Sequence, residues 1–261
     1  MRDWLTDRPL FLQKLLEAEA PRSDGKCSKC KRANGSWRCK DCYGNPTYCQ
    51  PCLQDQHILD PFHRVEVWSG THFQRTALHK ADICLQLGHQ GDLCPYYSRS
   101  IDEPNPFHPP HYDDQRGDAD DVVDDTPAEE ATREAESAGL EFDDLDTPKG
   151  VDVDGSPWIT IIHTTGVHFL KAKFCQCPNS APRRVQMLEA SLYPATKRRP
   201  RTVFTFQVLD DFYLENLECK TPARNFYSKI RRLTSNVFPH VVPVGFAIFR
   251  TRVKLTSPNK F

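Results

Sequence analysis

The chain is poor in apolar residues. Only 38% of its 261 residues are hydrophobic, where globular domains run at about 45–50%. A chain with so little apolar material and many cysteines replaces part of its core with metal or disulfides. No run approaches the 18 apolar residues of a membrane span, and no membrane partner is expected. The N-terminus has no secretory pattern, because Asp3, Asp7, Arg8 and Lys14 interrupt every apolar run. The expectation is an intracellular chain with reduced thiols. A phosphate-binding Gly-rich loop and a Gly-x-Ser-x-Gly elbow are both missing, and no small-molecule substrate is evident. Two-metal phosphoryl transfer needs carboxylates held in fixed geometry. Asp210, Asp211 and Glu215 instead fall on one predicted helix, on its solvated face. Cys84 and Cys219 have no evident histidine partner for thiol chemistry and read as plain core or surface cysteines. These absences argue against an enzyme.

What the chain has is cysteine, eleven in all. Eight ligand-type residues lie within 37 positions: Cys27, Cys30, Cys39, Cys42, Cys49, Cys52, His57 and His63. The order is three C-x2-C pairs, then two histidines. A C-x2-C knuckle sets two thiolates where both reach one zinc ion at about 2.3 Å, and eight ligands fill two closed tetrahedra. Closed sites build structure and leave no position open for hydrolysis. A redox C-x2-C needs one active pair on a thioredoxin-like fold; three pairs so close together argue against it. A cross-brace gives Cys27, Cys30, Cys49 and Cys52 one ion, and Cys39, Cys42, His57 and His63 the other. The spacing resembles B-box and ZZ-type fingers, which end in two histidines, and departs from the RING order. His72 lies close enough to compete with His57 and His63.

Two further fragments look like halves of a third site. His89-x4-Cys94 and Cys175-x-Cys177 each supply two ligands and together make a Cys3His set. The alternative is that Cys94 and Cys175 are buried apolar thiols. His163 and His168 compete as ligands.

The organisation reads as five segments. Residues 1–23 hold an amphipathic helix over 9–20, with Pro9 in its first turn and Leu12, Leu15 and Leu16 at helical spacing. Residues 24–97 hold the cysteine cluster and short strands at 64–68, 72–76 and 83–87. Residues 98–155 turn Pro-rich, then acidic. Within them, 113–146 carry fifteen Asp/Glu against Arg116 and Arg133, a net of −13. Such a segment buries too little to offset chain entropy and is expected to be a disordered insertion. Residues 156–236 resume order, with a hairpin of 158–163 and 167–174, a strand at 202–206, and helices at 207–220 and 223–235. In the second helix Phe226, Ile230 and Leu233 form an apolar stripe. Residues 237–261 are an atypical tail. The fold class is α+β: a small zinc-rich domain with a cross-brace finger, short antiparallel strands and C-terminal helices, interrupted by the acidic loop. Two or three zinc ions are expected.

The charge is asymmetric. Residues 171–261 hold seventeen Lys/Arg against five Asp/Glu, a net of +12. A basic part of this kind suits an anionic partner, DNA first. The candidate contacts are Arg183, Arg184, Lys197, Arg198, Arg199, Arg201, Arg231 and Arg232. The run Lys197–Arg201 can also be read as an exposed basic loop or as a nuclear localisation signal, and on the second reading a nuclear location is expected.

Five fragments, in order, resemble one family: WRCKDCYGNPTYCQPC, HRVEVWSGTHFQRTAL, LQLGHQGDLCP, GVHFLKAKFCQC, and the long run from Arg183 to Asn236 containing LYPATKRRPRTVFTFQVLDDF. They resemble the second subtype of the CxC cysteine-cluster domain associated with KDZ (Kyakuja-Dileera-Zisupton) transposases. The resemblance runs from about Trp4 to Asn236, apart from the acidic insertion. It implies that Cys175-x-Cys177 is the element that names the domain, which favours the third site. It also implies a region that binds DNA or a partner protein and precedes a transposase core with a ribonuclease-H-like fold. After Asn236 the likeness stops, with no room for that core. The expectation is a non-catalytic zinc module truncated before the core. A protein-interaction module and a transposon remnant without function are the alternatives.

Overall fold

The computed structural model describes residues 2–21, 24–96, 156–196, 200–235, 239 and 242. The acidic insertion, Lys197, Arg198 and Arg199, and nearly all of the tail lie outside the described residues. The architecture is α+β, in two compact units, residues 1–83 and 84–261. The division between the units falls at Ile83–Cys84. The cause is strand pairing: the strand that begins at Cys84 belongs to the sheet of the second unit. No helix among the described residues is long and apolar enough to cross a membrane.

The first unit opens with α1, Arg2–Glu19. It starts seven residues before the expected Pro9, which sits inside the helix. Proline lacks an N–H, so one intrahelical bond is missing there, yet the helix continues through it. A four-stranded antiparallel sheet follows, in the order β2-β1-β3-β4. Its strands are β1 (Trp37–Cys39), β2 (Thr47–Tyr48), β3 (Val65–Trp68) and β4 (Phe73–Thr76). The short helix α2, Gln50–Gln56, has Pro51 in its first turn, where a missing N–H is harmless. The apolar core is small, built from Trp37, Tyr48, Leu53 and Val65 with the thiols of Cys27 and Cys39.

A buried ion pair supplements it. Arg38 of β1 faces Glu66 of β3 in register, and both side chains are buried. The guanidinium donates to Glu66 Oε2 from Nε at 2.8 Å and from Nη2 at 2.5 Å. It also donates to the Ala18 carbonyl at 2.9 Å and lies 4.0 Å over the Phe73 ring. Arg38 therefore ties the end of α1 to the sheet. The rest of α1 packs little: Trp4, Leu5, Leu10, Phe11, Leu12, Leu15 and Leu16 are all exposed.

The second unit is a five-stranded mixed sheet in the order β5-β7-β6-β9-β8. The strands are β5 (Cys84–Leu87), β6 (Trp158–His163), β7 (Gly166–Phe174), β8 (Leu192–Pro194) and β9 (Thr202–Thr205). β6 and β7 form the expected hairpin, with His163 opposite Gly166. Two pairings are parallel, β5 with β7 and β6 with β9, and they extend the expected set of antiparallel strands. Among the described residues three helices join it: α3 (Arg183–Glu189), α4 (Phe206–Cys219) and α5 (Ala223–Thr234). Thr205 caps α4, its Oγ1 accepting from the Val208 N–H at 3.2 Å, a stabilising N-cap.

Alternation along the strands separates two faces. Ile162, Val167, Phe169 and Phe204 pack against Val208, Leu209 and Phe212 of α4 and Phe226, Tyr227 and Ile230 of α5. Phe212 and Phe226 meet edge to face, centroids 5.1 Å apart. Each such buried side chain contributes about 1.5–3 kcal/mol relative to exposure, so this unit has a continuous hydrophobic core. The expected stripe of Phe226, Ile230 and Leu233 is the face that enters it. Asp211 and Glu215 of α4 do not stand free in solvent as the sequence suggested. Both bind Lys229 of α5, Asp211 at 3.2 Å.

Candidate metal centres

Twelve cysteine and histidine residues converge in three groups of four, with the ligand atoms of each group all within 4.8 Å of one another. The first group is Cys27, Cys30, Cys49 and Cys52. The second is Cys39, Cys42, His57 and His63. The third is His89, Cys94, Cys175 and Cys177.

The first two interlock through α2. Cys49 caps the N-terminus of α2 and Cys52 lies in its first turn, so both face the Cys27–Cys30 knuckle. Cys30 Sγ and Cys49 Sγ are 3.9 Å apart. His57 follows the last turn of α2 and turns to the other group. Its Nε2 lies 3.3 Å from Cys39 Sγ and 3.6 Å from Cys42 Sγ. Its Nδ1 is 2.9 Å from the Leu53 carbonyl, so the N–H sits on Nδ1 and the Nε2 lone pair points at the thiols. This second bond fixes the ring as metal-bound imidazoles are usually fixed. His63 Nδ1 lies 3.5 Å from both Cys39 and Cys42. Asp41, inside the second knuckle, accepts from the Arg64 backbone N–H at 2.6 Å and holds its guanidinium. Burial raises the Asp41 carboxyl, but the Arg64 hydrogen bonds outweigh it and hold it below the usual range. His72 is not a ligand: it bonds locally to Ser69 and Thr71.

The third group joins residues more than eighty positions apart. β5 and β7 run parallel with Leu87 opposite Phe174, so both strands end at one edge of the sheet. Beyond that edge the chain places His89 and Cys94 on one side and Cys175 and Cys177 on the other. Cys94 Sγ is 3.9 Å from both Cys175 and Cys177. His89 Nε2 is 3.2 Å from Cys175 Sγ and 3.4 Å from Cys177 Sγ. The competing histidines point elsewhere: His163 bonds Thr205 at 2.9 Å and His168 bonds Thr165 at 2.8 Å.

These separations fit a tetrahedral ion. Bonds of about 2.3 Å to sulfur and 2.0–2.1 Å to nitrogen require S···S near 3.8 Å and S···N near 3.5 Å. They do not fit disulfides, which need about 2.05 Å; all eleven cysteines are free thiols. The proton affinities diverge within each group. Burial raises Cys27, but backbone N–H groups of Cys30, Cys49 and Lys29 outweigh it and bring it down to about 6. Cys52 is pushed up to about 12, first by its hydrogen bond to Cys49. Burial drives Cys39 to about 12. In the third group Cys94 falls to about 7, as N–H groups of Gln176 and Tyr96 outweigh burial, while burial lifts Cys177 to about 12. Clustered thiols cannot all ionise together, because each thiolate repels the next; a dication would compensate that charge.

Of the basic candidates, Arg183, Arg184, Arg201, Arg231 and Arg232 are among the described residues of the second unit. Arg183 and Arg184 are exposed at the start of α3, with the Arg183 guanidinium 5.0 Å over the Phe174 ring. Arg201 is exposed ahead of β9, and Arg232 on α5. Arg231 is half-buried, and burial lowers its guanidinium below the usual range. It is thus a poor phosphate contact, because α5 turns it toward the protein. Arg224 of α5 is a further exposed cation, and nothing in the local sequence pattern singles it out.

Among the described residues, three four-residue Cys/His clusters that could each hold a metal ion lie on two small α+β units. Within the chain, residues 150–238 match the family of CxC2-like cysteine clusters associated with KDZ transposases. The matched segment contains Cys175 and Cys177, most of the second sheet, and α3 to α5. The other ten cluster residues lie outside the segment. No curated protein and no solved structure matches the chain.

Proposed function

We propose that the protein is a non-enzymatic, transposon-derived zinc module that binds DNA. The observation that carries the metal part is the closed geometry: three groups, each with four nitrogen or sulfur ligands converging on one point. Soft thiolate-rich tetrahedral sets favour zinc over harder or octahedral ions. Four protein ligands leave no position for a metal-bound water, so the ions would stabilise the fold and not activate a nucleophile. Support for DNA comes from the association of the matched family with transposases and from exposed Arg183, Arg184, Arg201, Arg224 and Arg232. On this reading the module works in the nucleus and beside a transposase core or another protein.

The test is binding of the zinc-loaded chain to a labelled duplex across a salt series. Phosphate contacts release counterions, so affinity should fall steeply, with a log–log slope near −0.9 per phosphate neutralised. The variant Arg183→Ala/Arg184→Ala should bind more weakly and with a shallower slope. Affinity that is undetectable at low salt, or independent of salt, overturns the DNA reading.

One observation favours a second reading, a protein-interaction module. Helix α1 presents Trp4, 69% exposed, and Leu15, 67% exposed, with five other large apolar side chains. Such a surface suits helix-in-groove recognition. Removal of residues 2–19 should abolish protein association on this reading and leave DNA affinity unchanged.

A further inference from the structure

We infer that Gln186 is a positioning residue of the third metal centre, and that through it this centre anchors helix α3. Gln186 is buried, 3% exposed, beside fully buried Met187 in the middle of a seven-residue helix whose ends are exposed. A buried primary amide is costly unless its donors and acceptor are satisfied. Two of its three bonds go to one residue. Oε1 accepts from the Cys175 N–H at 2.8 Å. Nε2 donates to the Cys175 carbonyl at 3.3 Å and to the Ala181 carbonyl at 2.7 Å. The amide thus pairs with both backbone groups of Cys175, as a residue of an adjacent strand would.

The position of that pairing gives it meaning. β7 ends at Phe174, so Cys175 is the first residue beyond the last rung shared with β5. Its N–H also reaches the Leu87 carbonyl at 2.9 Å. Leu87 precedes Gly88, and Gly88 precedes the ligand His89. The peptide of Cys175 is therefore held on one side by the strand that leads to His89 and on the other by Gln186. With that peptide fixed, Cys175 Sγ and, two residues on, Cys177 Sγ both come within 3.9 Å of Cys94 Sγ. The Cys177 N–H, at 3.5 Å, points to Cys175 Sγ and so contributes to the same arrangement. Gln186 touches no ligand atom. It acts through the backbone, as outer-shell partners of metal sites do, and loss of such a partner typically weakens metal binding about 10–100-fold.

The coupling runs both ways. Two of these hydrogen bonds join α3 to the backbone of Cys175, and Arg183 and Arg184 start that helix. Occupancy of the third centre should therefore order the segment that presents these two arginines.

The inference rests on the third cluster holding an ion. The test is a titration of the full chain with cobalt(II), which reports each centre by its absorption. The chain with Cys175→Ser defines the spectrum without the third centre. Gln186→Met keeps volume and helix propensity and removes all three hydrogen bonds. The expected result is three ions on the unaltered chain, with the third bound at least tenfold more weakly in Gln186→Met and its band altered, and with the other two unchanged. Three ions with unaltered affinity and spectrum in the variant overturn the positioning role. Fewer than three on the unaltered chain overturns the centre itself. If Gln186→Met fails to fold, Gln186→Glu, which keeps the acceptor and loses both donations, gives the same comparison; wild-type affinity there overturns the inference as well.

Discussion

The two units solve the same problem, too little apolar material, in different ways. The first unit has few fully buried large apolar side chains and spends eight of its residues on two ligand groups that share α2. The second unit has a continuous core between sheet and helices, and one ligand group among its described residues, beyond the ends of β5 and β7. In the first unit the ions would be the core. In the second, the ion would be a clasp on a structure that already buries its hydrophobic face.

Metal removal is the sharpest way to break that comparison and has the largest expected effect. Structural zinc sites contribute on the order of 10–16 kcal/mol in small fingers, far more than a domain's net stability. Chelation should strip amide-exchange protection from β1, β3 and α2, while β6, β7, β9 and the core side of α4 and α5 keep theirs. Only the segments around His89–Cys94, Cys175–Cys177 and α3 should loosen in the second unit. Simultaneous loss of protection across both units would show that the second core does not stand without metal.

The converse experiment targets that core. Phe226 is fully buried and meets Phe212 edge to face. Phe226→Ala should destabilise the second unit by about 3–5 kcal/mol through lost transfer energy and the cavity left behind. The ion content of the first two centres should not change. Urea unfolding followed by Trp158 for the second unit and Trp37 for the first would separate the two responses.

A smaller effect is expected at Arg38. Arg38→Met would leave the buried Glu66 carboxylate with Lys40, at 3.3 Å, as its remaining ionic partner. Breaking a buried pair by removing one member costs about 3–5 kcal/mol; Lys40 should hold the effect at the lower end. The double variant Arg38→Met/Glu66→Gln should recover part of the loss, because it removes the unpaired charge. Denaturant midpoints of the zinc-loaded chains decide this. No recovery would mean that Arg38 acts chiefly by packing on Phe73 and holding the end of α1.

Much of this was legible in the sequence, and the exceptions share a cause. The β6–β7 hairpin, α4 and α5 carry local periodic patterns, and the knuckles of the first two clusters carry their spacing, so both could be read directly. The parallel pairings β5–β7 and β6–β9 could not. They join segments across some eighty and forty residues, and nothing local records which strand lies beside which. The same non-local pairing puts the division between the units at Ile83–Cys84. Helix α2 was hidden because its cysteines read as a knuckle, and α1 was cut short because proline usually marks a first turn. Gln186 gave no signal at all: one amide between arginines and apolar residues has no period, and its role exists only once Cys175 is beside it.

Gly88 gives the most local test of the clasp. Its backbone, at φ 96° and ψ 172°, lies in a region that is almost the preserve of glycine and costs other residues about 1–3 kcal/mol. A Cβ built there would sit 2.7 Å from Cys175 Cβ, and Cys175 is tied by its N–H to the Leu87 carbonyl and Gln186 Oε1, which leaves it little room to yield. Gly88→Ala must therefore either rotate the chain into His89 or push Cys175 outward, and each movement separates ligands that now lie 3.2 Å apart. The expected result is about a tenfold or greater loss of affinity for the third ion, with the first two centres and the Phe204–Phe226 core unchanged, measured by chelator competition. Equal weakening of all three centres would join the two units energetically and end the distinction between a unit made by metal and a unit fastened by it.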